Sequence, residues 1–191
     1  MNYLWDNLFR RGKKDDDVRT ILRENILFQD LGERELKFVE SLVHVRRFHS
    51  GEPVFKQNEV GVGMYLIAKG RIEIFVSDPN TQGLLADDEN REIFITQLMP
   101  GDFFGELALV EDGARRTASA VARDESVLIG FFKPDLNEVL ARSPEAGIKI
   151  SLRLAEVLGR RLKETTDKVS ELRLAIKDLR EPPPSTDDNG S

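Results

Sequence analysis

Cysteine is absent from this 191-residue chain, and histidine occurs only twice, at His44 and His49. The first absence excludes a disulfide framework, a thiolate zinc site, an iron–sulfur cluster and a cysteine nucleophile. Two neighbouring histidines leave little for a multi-histidine metal centre. Long hydrophobic runs are missing too: nothing approaches the roughly 18 apolar residues of a membrane span. The opening stretch MNYLWDNLFRRGKK lacks the apolar region of a secretory signal, so a cytoplasmic location is expected. Positive charge is in deficit, with 28 basic against 34 acidic side chains and a net charge of −6. That balance argues against a general nucleic-acid binder, which carries a basic patch. What is present, 40% apolar and 32% charged residues, describes a globular chain rather than a disordered one. At about 150 residues per domain, the length suits one domain with a modest extension.

Four regions are expected. Residues 1–16 form an N-terminal amphipathic and basic segment. On a helix its Leu4, Trp5, Leu8 and Phe9 share one face, and Arg10, Arg11, Lys13 and Lys14 follow. Such a face suits a terminal helix packed on its own domain, a partner-binding helix or contact with a membrane surface. Residues 17–142 hold the main domain. Helical spacing runs through residues 17–43, first at Val18, Ile21 and Leu22, then at Leu36, Val39, Leu42 and Val43. Short Val-, Ile- and Phe-rich runs follow at Val45–Phe48, Val54–Phe55, Met64–Ala68, Ile72–Val76, Ile93–Leu98, Ala118–Ala122 and Val127–Phe132. Turn signals separate them, among them Ser50-Gly51, Gly61–Gly63, Lys69-Gly70 and Pro100-Gly101-Asp102. Many short strands so spaced predict an antiparallel sandwich or barrel. Ser77–Arg91 is too long for a tight hairpin and reads as a surface insertion, with Leu84 and Leu85 available for a partner contact.

After Phe132 the strand pattern stops. Lys133-Pro134-Asp135 opens a short helix through Leu140, and Ser143-Pro144-Glu145 begins a long one, giving a third region at 143–180. Written as heptads, Ala155, Leu162, Val169 and Ile176 take the a positions, with Leu158, Thr165, Leu172 and Leu179 at d. β-Branched residues at a with leucine at d favour a two-stranded parallel coiled coil, hence a homodimer through Ala155–Leu179. The alternative is a single helix lying on its own domain. Lys168 at g and Arg173 at the following e would face each other with like charge, which opposes pairing. Residues 181–191 form a polar, proline-rich tail expected to be disordered.

The chemistry concentrates in GDFFGELALVEDGARRTASA, Gly101 to Ala120. Gly105 permits a backbone approach denied to residues with a Cβ. Glu106 follows at the start of a helical turn, and ten residues later come Arg116, Thr117 and Ala118. A glycine-opened turn, one acid and an arginine followed by a hydroxyl suit a small molecule carrying both sugar hydroxyls and a phosphate. The arginine forks onto phosphate oxygens and the acid accepts from a hydroxyl.

FGELAL, the spacer VEDGAR, and RTA resemble the phosphate-binding cassette of cyclic nucleotide-binding domains, found in bacterial catabolite activators (Crp/Fnr-like proteins), kinase regulatory subunits and gated channels. The upstream MYLIAKGRIEIF resembles the family's central hairpin. The resemblance implies an antiparallel β roll of jelly-roll, cupin-like type, mainly β with flanking helices, followed by a long C-terminal helix. By position, Glu106 would accept from the ribose 2′-hydroxyl. Arg116 would pair with the cyclic phosphate, helped by the Thr117 hydroxyl and the N–H groups around Ala108 and Ala118. Gly105 would admit the ribose, with Leu107 in the same ligand-binding stretch. Arg115 lies outside the motif and reads as a surface charge. In LGRRLKETTDKVSEL, Thr165 and Thr166 stand where the bacterial activators carry a Thr/Ser pair near the base, a position that leans toward adenine. Asn58 stands where the family has a glycine; asparagine tolerates the left-handed conformation better than most residues.

These implications describe a non-enzymatic sensor of cyclic AMP, with cyclic GMP also compatible, that uses no metal or cofactor and signals through its C-terminal helix to an unidentified protein partner. An interaction scaffold that keeps the fold without a ligand is the alternative. A cupin-like metalloenzyme would need a ligand cluster that His44 and His49 do not supply. The bacterial activators continue into a helix-turn-helix, whereas here eleven residues follow Arg180, so DNA binding is not expected.

Overall fold

The computed structural model describes residues 11–77 and 92–180, the side chains of Arg11–Asp17, Asp178 and Arg180 excepted. Leu4, Trp5, Leu8, Phe9, Leu84, Leu85 and the 181–191 tail lie outside the described residues. Two units are distinguished, residues 1–151 and 152–191.

The first unit opens with helix α1 (Arg11–Glu24) and helix α2 (Glu33–Leu42). α1 starts before the apolar spacing predicts because Arg11–Asp17 contain no apolar residue to signal it. Between the helices, buried Asn25 accepts from Leu27 N through Oδ1 (3.0 Å) and donates from Nδ2 to the Gly101 carbonyl (3.3 Å). At the head of α2, Glu35 accepts from Gly32 N at 2.6 Å and so satisfies a donor the helix leaves unpaired.

Eight strands follow: β1 (His44–Phe48), β2 (Pro53–Phe55), β3 (Gly63–Lys69), β4 (Ile72–Ser77), β5 (Glu92–Leu98), β6 (Phe103–Phe104), β7 (Ser119–Ala122) and β8 (Ser126–Phe132). They build two four-stranded sheets, ordered β1-β8-β3-β6 and β2-β7-β4-β5, with every pairing antiparallel. Together with the long helix that follows, they form the expected roll. β6 is the strand the sequence pattern misses. It has two residues, defined only by Tyr65 opposite Phe104 and Leu66 opposite Phe103.

Strand alternation builds the core. Tyr65, Ile67 and Leu128 join Phe48, Ile72, Phe104, Ala120 and Ala122 in one buried cluster. On the alternate positions of the same strands, Met64 and Leu66 in β3 and Ile129 and Phe131 in β8 face the other way and are buried as well. There Phe28 meets Phe131 edge-on, with ring centroids 5.5 Å apart. A strand buried on both faces needs a continuous apolar run, which is why MYLI shows no alternation.

A four-residue helix α3 (Leu107–Val110) lies between β6 and β7, and helix α4 (Lys133–Arg142) follows β8. α4 starts where Pro134 and Asp135 predict, with Asp135 Oδ2 accepting from Phe132 N at 2.8 Å. Helix α5 (Pro144–Arg180) begins in this unit, where Lys149 Nζ donates to both Glu35 oxygens at 2.7 and 2.9 Å.

Among the described residues, the second unit is α5 from Leu152 onward. Leu162, Val169, Leu172, Ile176 and Leu179, all from the heptad seam, are exposed along it. Among the described residues no helix is long and apolar enough to cross a membrane.

Candidate functional site

The turn that connects β6 to α3 is shaped by Gly105, whose φ of +79° lies in the left-handed region. Glu106 directly precedes α3 and is buried, 6% exposed. Within the turn the Gly105 carbonyl accepts from Ala108 N at 3.2 Å, so that amide is engaged by the turn itself.

Backbone hydrogen bonds from a distant segment pin Arg116 in place. Asn58 N donates to the Arg116 carbonyl and Arg116 N to the Glu59 carbonyl, each at 2.8 Å. Asn58 has a φ of +70°, the conformation expected of an asparagine in place of glycine. One residue earlier, Arg115 pairs with Val60 in an isolated β-bridge, and its exposed side chain donates to the Asn58 carbonyl at 2.7 Å. Adjacent residues in extended chain face opposite sides, so the bridge that turns Arg115 outward turns Arg116 inward.

Inside, Arg116 is only 7% exposed. Its Nη1 donates to the Gly105 carbonyl at 3.1 Å, and its Cζ lies 4.0 Å from the centre of the Phe55 ring. The Nε is fully buried and has no hydrogen-bond partner. Burial pulls the Arg116 pKa below its ordinary value, while the acidic groups of Tyr65, Glu106 and Glu59 act in the opposite direction. A buried guanidinium normally finds an acceptor for each donor, because an unpaired one costs about 1–3 kcal/mol. Here the fold keeps a desolvated cation with a spare donor beside a glycine turn, an arrangement suited to an oxyanion.

The fold therefore brings Gly105, Glu106, Ala108 and Arg116 together. Leu107 and Thr117 are exposed and Ala118 is half-buried. Thr165 and Thr166 belong to the second unit, where their hydroxyls donate to the Arg161 and Leu162 carbonyls at 2.8 and 2.9 Å. Sequence reasoning misses Phe55 and Gly61. A β-carbon at Gly61 would meet the Ala108 β-carbon at 2.8 Å, so α3 packs directly on that glycine. The run Gly61–Gly63 signals only a turn, and Phe55 reads only as a strand residue.

Fold and site together define a domain that receives a small anionic ligand. Comparison with known proteins makes this specific. The model of the cyclic nucleotide-binding domain matches residues 45–143, more than half of the chain, and the chain belongs to that family. It is 32% identical over 138 residues to the cyclic AMP receptor protein of Thermus thermophilus, covering 72% of this chain and 57% of that one. With a CRP-like cAMP-activated global transcriptional regulator of Mycobacterium tuberculosis it shares 34% over 125 residues, covering 65% of this chain and 50% of the other. Among solved structures, the Thermus thermophilus catabolite activator protein superposes with a TM-score of 0.65 at 30% identity, over 78% of this chain and 63% of that one. The chain thus spans between half and three fifths of the length of these curated relatives. It is a cyclic nucleotide-binding regulatory domain with the fold of the catabolite activators.

Proposed function

We propose that the chain is a cytoplasmic, non-enzymatic sensor that binds cyclic AMP and passes the binding event through its C-terminal helix to a protein partner. The observation that carries this reading is the buried Arg116 guanidinium, with Nη1 on the Gly105 carbonyl and Nε unpartnered. In this reading Arg116 binds the cyclic phosphate, supported by Thr117 and the Ala118 amide. Glu106 accepts from the ribose 2′-hydroxyl and Gly105 admits the ribose, with Leu107 and Ala108 in the same ligand-binding stretch. The candidates for the base are Thr165 and Thr166. Each hydroxyl already donates within its own helix, so each oxygen offers a lone pair to a donor. The adenine amino group is such a donor, and the guanine carbonyl at the same ring position is not. The relatives named for cyclic AMP support the same choice.

Transmission is assigned to α5, dimerised along its heptad seam. The exposed Leu162, Val169, Leu172 and Ile176 support that pairing. Ligand-dependent coupling of this kind is worth about 1–3 kcal/mol in partner affinity.

Calorimetry with a panel of cyclic mono- and dinucleotides tests the reading. Cyclic AMP is expected to bind most tightly, and Arg116→Ala to weaken it by about 2–5 kcal/mol through loss of a desolvated charge contact. Undiminished affinity in Arg116→Ala overturns the site. A chain that binds none of the panel is instead a ligand-independent scaffold.

A further inference from the structure

We propose that Phe55 is the positioning residue of the anion site, acting through Arg116. The inference rests on the reading of Arg116 as the phosphate contact.

Topology brings the two residues together across 61 positions of sequence. β2 pairs with β7 so that Phe55 stands opposite Ala120, four residues beyond Arg116. The same register carries the backbone bonds between Asn58–Glu59 and Arg116, which bring the guanidinium over the ring. Phe55 is itself wedged: its ring centre lies 5.6 Å from that of Phe104 and 6.4 Å from that of Tyr65. Phe104 immediately precedes Gly105, whose carbonyl accepts from Arg116 Nη1. One aromatic cluster therefore sets both the surface on which the guanidinium lies and the carbonyl that orients it.

The chemistry explains why an aromatic ring suits this place better than an acid. A carboxylate would orient Arg116 by occupying its N–H donors and would repel an arriving phosphate. A ring face attracts the cation through its quadrupole without taking up any of its in-plane donors, so those not spent on the Gly105 carbonyl stay available to the ligand. No hydrogen bond ties the Arg116 side chain to a carboxylate among the described residues, and the Nε remains unpaired. Phe55 thus holds a buried cation in place without competing for its function.

The test compares Phe55→Leu, which keeps an apolar side chain, with Phe55→Tyr, which keeps the ring. Calorimetry with cyclic AMP is combined with nuclear magnetic resonance of the Arg116 Nε–Hε group in the ligand-free protein. We expect Phe55→Leu to weaken binding about 3- to 10-fold, and Phe55→Tyr to stay within about twofold of wild type. The Arg116 Hε resonance, shifted by the ring current in wild type and in Phe55→Tyr, is expected to move toward the free-arginine position in Phe55→Leu. The backbone spectrum of each variant reports whether it is folded. Wild-type affinity in Phe55→Leu overturns the proposal, as does an equal loss in both variants, which reduces Phe55 to a space-filling role. If the wild type takes up no cyclic nucleotide, the proposed function fails. The stack is then judged by the resonance alone, and an Hε signal that Phe55→Leu leaves in place overturns it.

Discussion

A β-carbon at position 105 would strike Arg116 Nη1, so Gly105 and Arg116 occupy their places only together. Gly105 is also held at φ +79°, where an L-residue is strained by about 1–2 kcal/mol. Gly105→Ala is therefore expected to lower stability by about that amount, and to weaken nucleotide binding by displacing the guanidinium. Urea denaturation and calorimetry on one preparation check both effects. A variant with wild-type stability and affinity would contradict both the conformational and the contact argument.

Arg116, the proposed phosphate contact, is buried with an Nε that has no hydrogen-bond partner, a cost to the ligand-free fold. Replacing a buried charge by an apolar side chain of similar length is often neutral or stabilising. Arg116→Met is expected to leave the ligand-free protein as stable as wild type, or up to about 1 kcal/mol more stable, while losing nucleotide affinity. A clear fall in the urea midpoint without ligand would show that the guanidinium holds the fold together.

Acid sensitivity should localise in part to Glu35. Its hydrogen bond with Lys149 holds the carboxyl below its ordinary value of 4.5. A depressed folded-state pKa contributes stability above the unfolded value, and that contribution disappears as pH falls through the folded value. Glu35→Gln keeps an acceptor for Gly32 N but removes the charge. At pH 7 it is expected to cost about 0.5–1 kcal/mol, the range of a partly exposed ion pair. The gap between wild type and variant should close below about pH 4.5. Thermal melts from pH 7 to pH 3 check this, and a gap independent of pH would assign the loss to packing.

The proposed pairing of α5 distinguishes two exposed leucines. Leu172 lies at heptad position d, and Leu174 at f, on the opposite side of the helix. Leu172→Glu places a charge in the seam and is expected to raise the dimer dissociation constant about 100-fold. Leu174→Glu is expected to leave it unchanged. Sedimentation equilibrium reads both, and equal effects would remove the seam from the interface.

Much of the architecture was legible in the chain because it depends on local rules. Short Val-, Ile- and Phe-rich runs separated by turn signals marked seven of the eight strands, and the proline and aspartate after Phe132 marked the start of α4. Asn58, read as a stand-in for glycine, has the left-handed backbone that this reading requires. β6 was not legible, since two residues carry no periodicity and Phe103–Phe104 becomes a strand only through Tyr65 and Leu66. Phe55 showed its strand but not its task, because nothing in VF indicates which cation will lie on the ring.

By itself, the sequence determined the class of fold, the glycine-opened turn, and the spacing of Glu106 and Arg116. Each of these follows from short-range periodicity, backbone freedom or a contiguous motif. Tertiary structure alone decided how Arg116 is held. The Val60–Arg115 bridge turns one arginine to the surface and its neighbour inward, and the β2–β7 register supplies the aromatic face beneath it. Those are pairings between distant segments, and their geometry exists only once the strands have met.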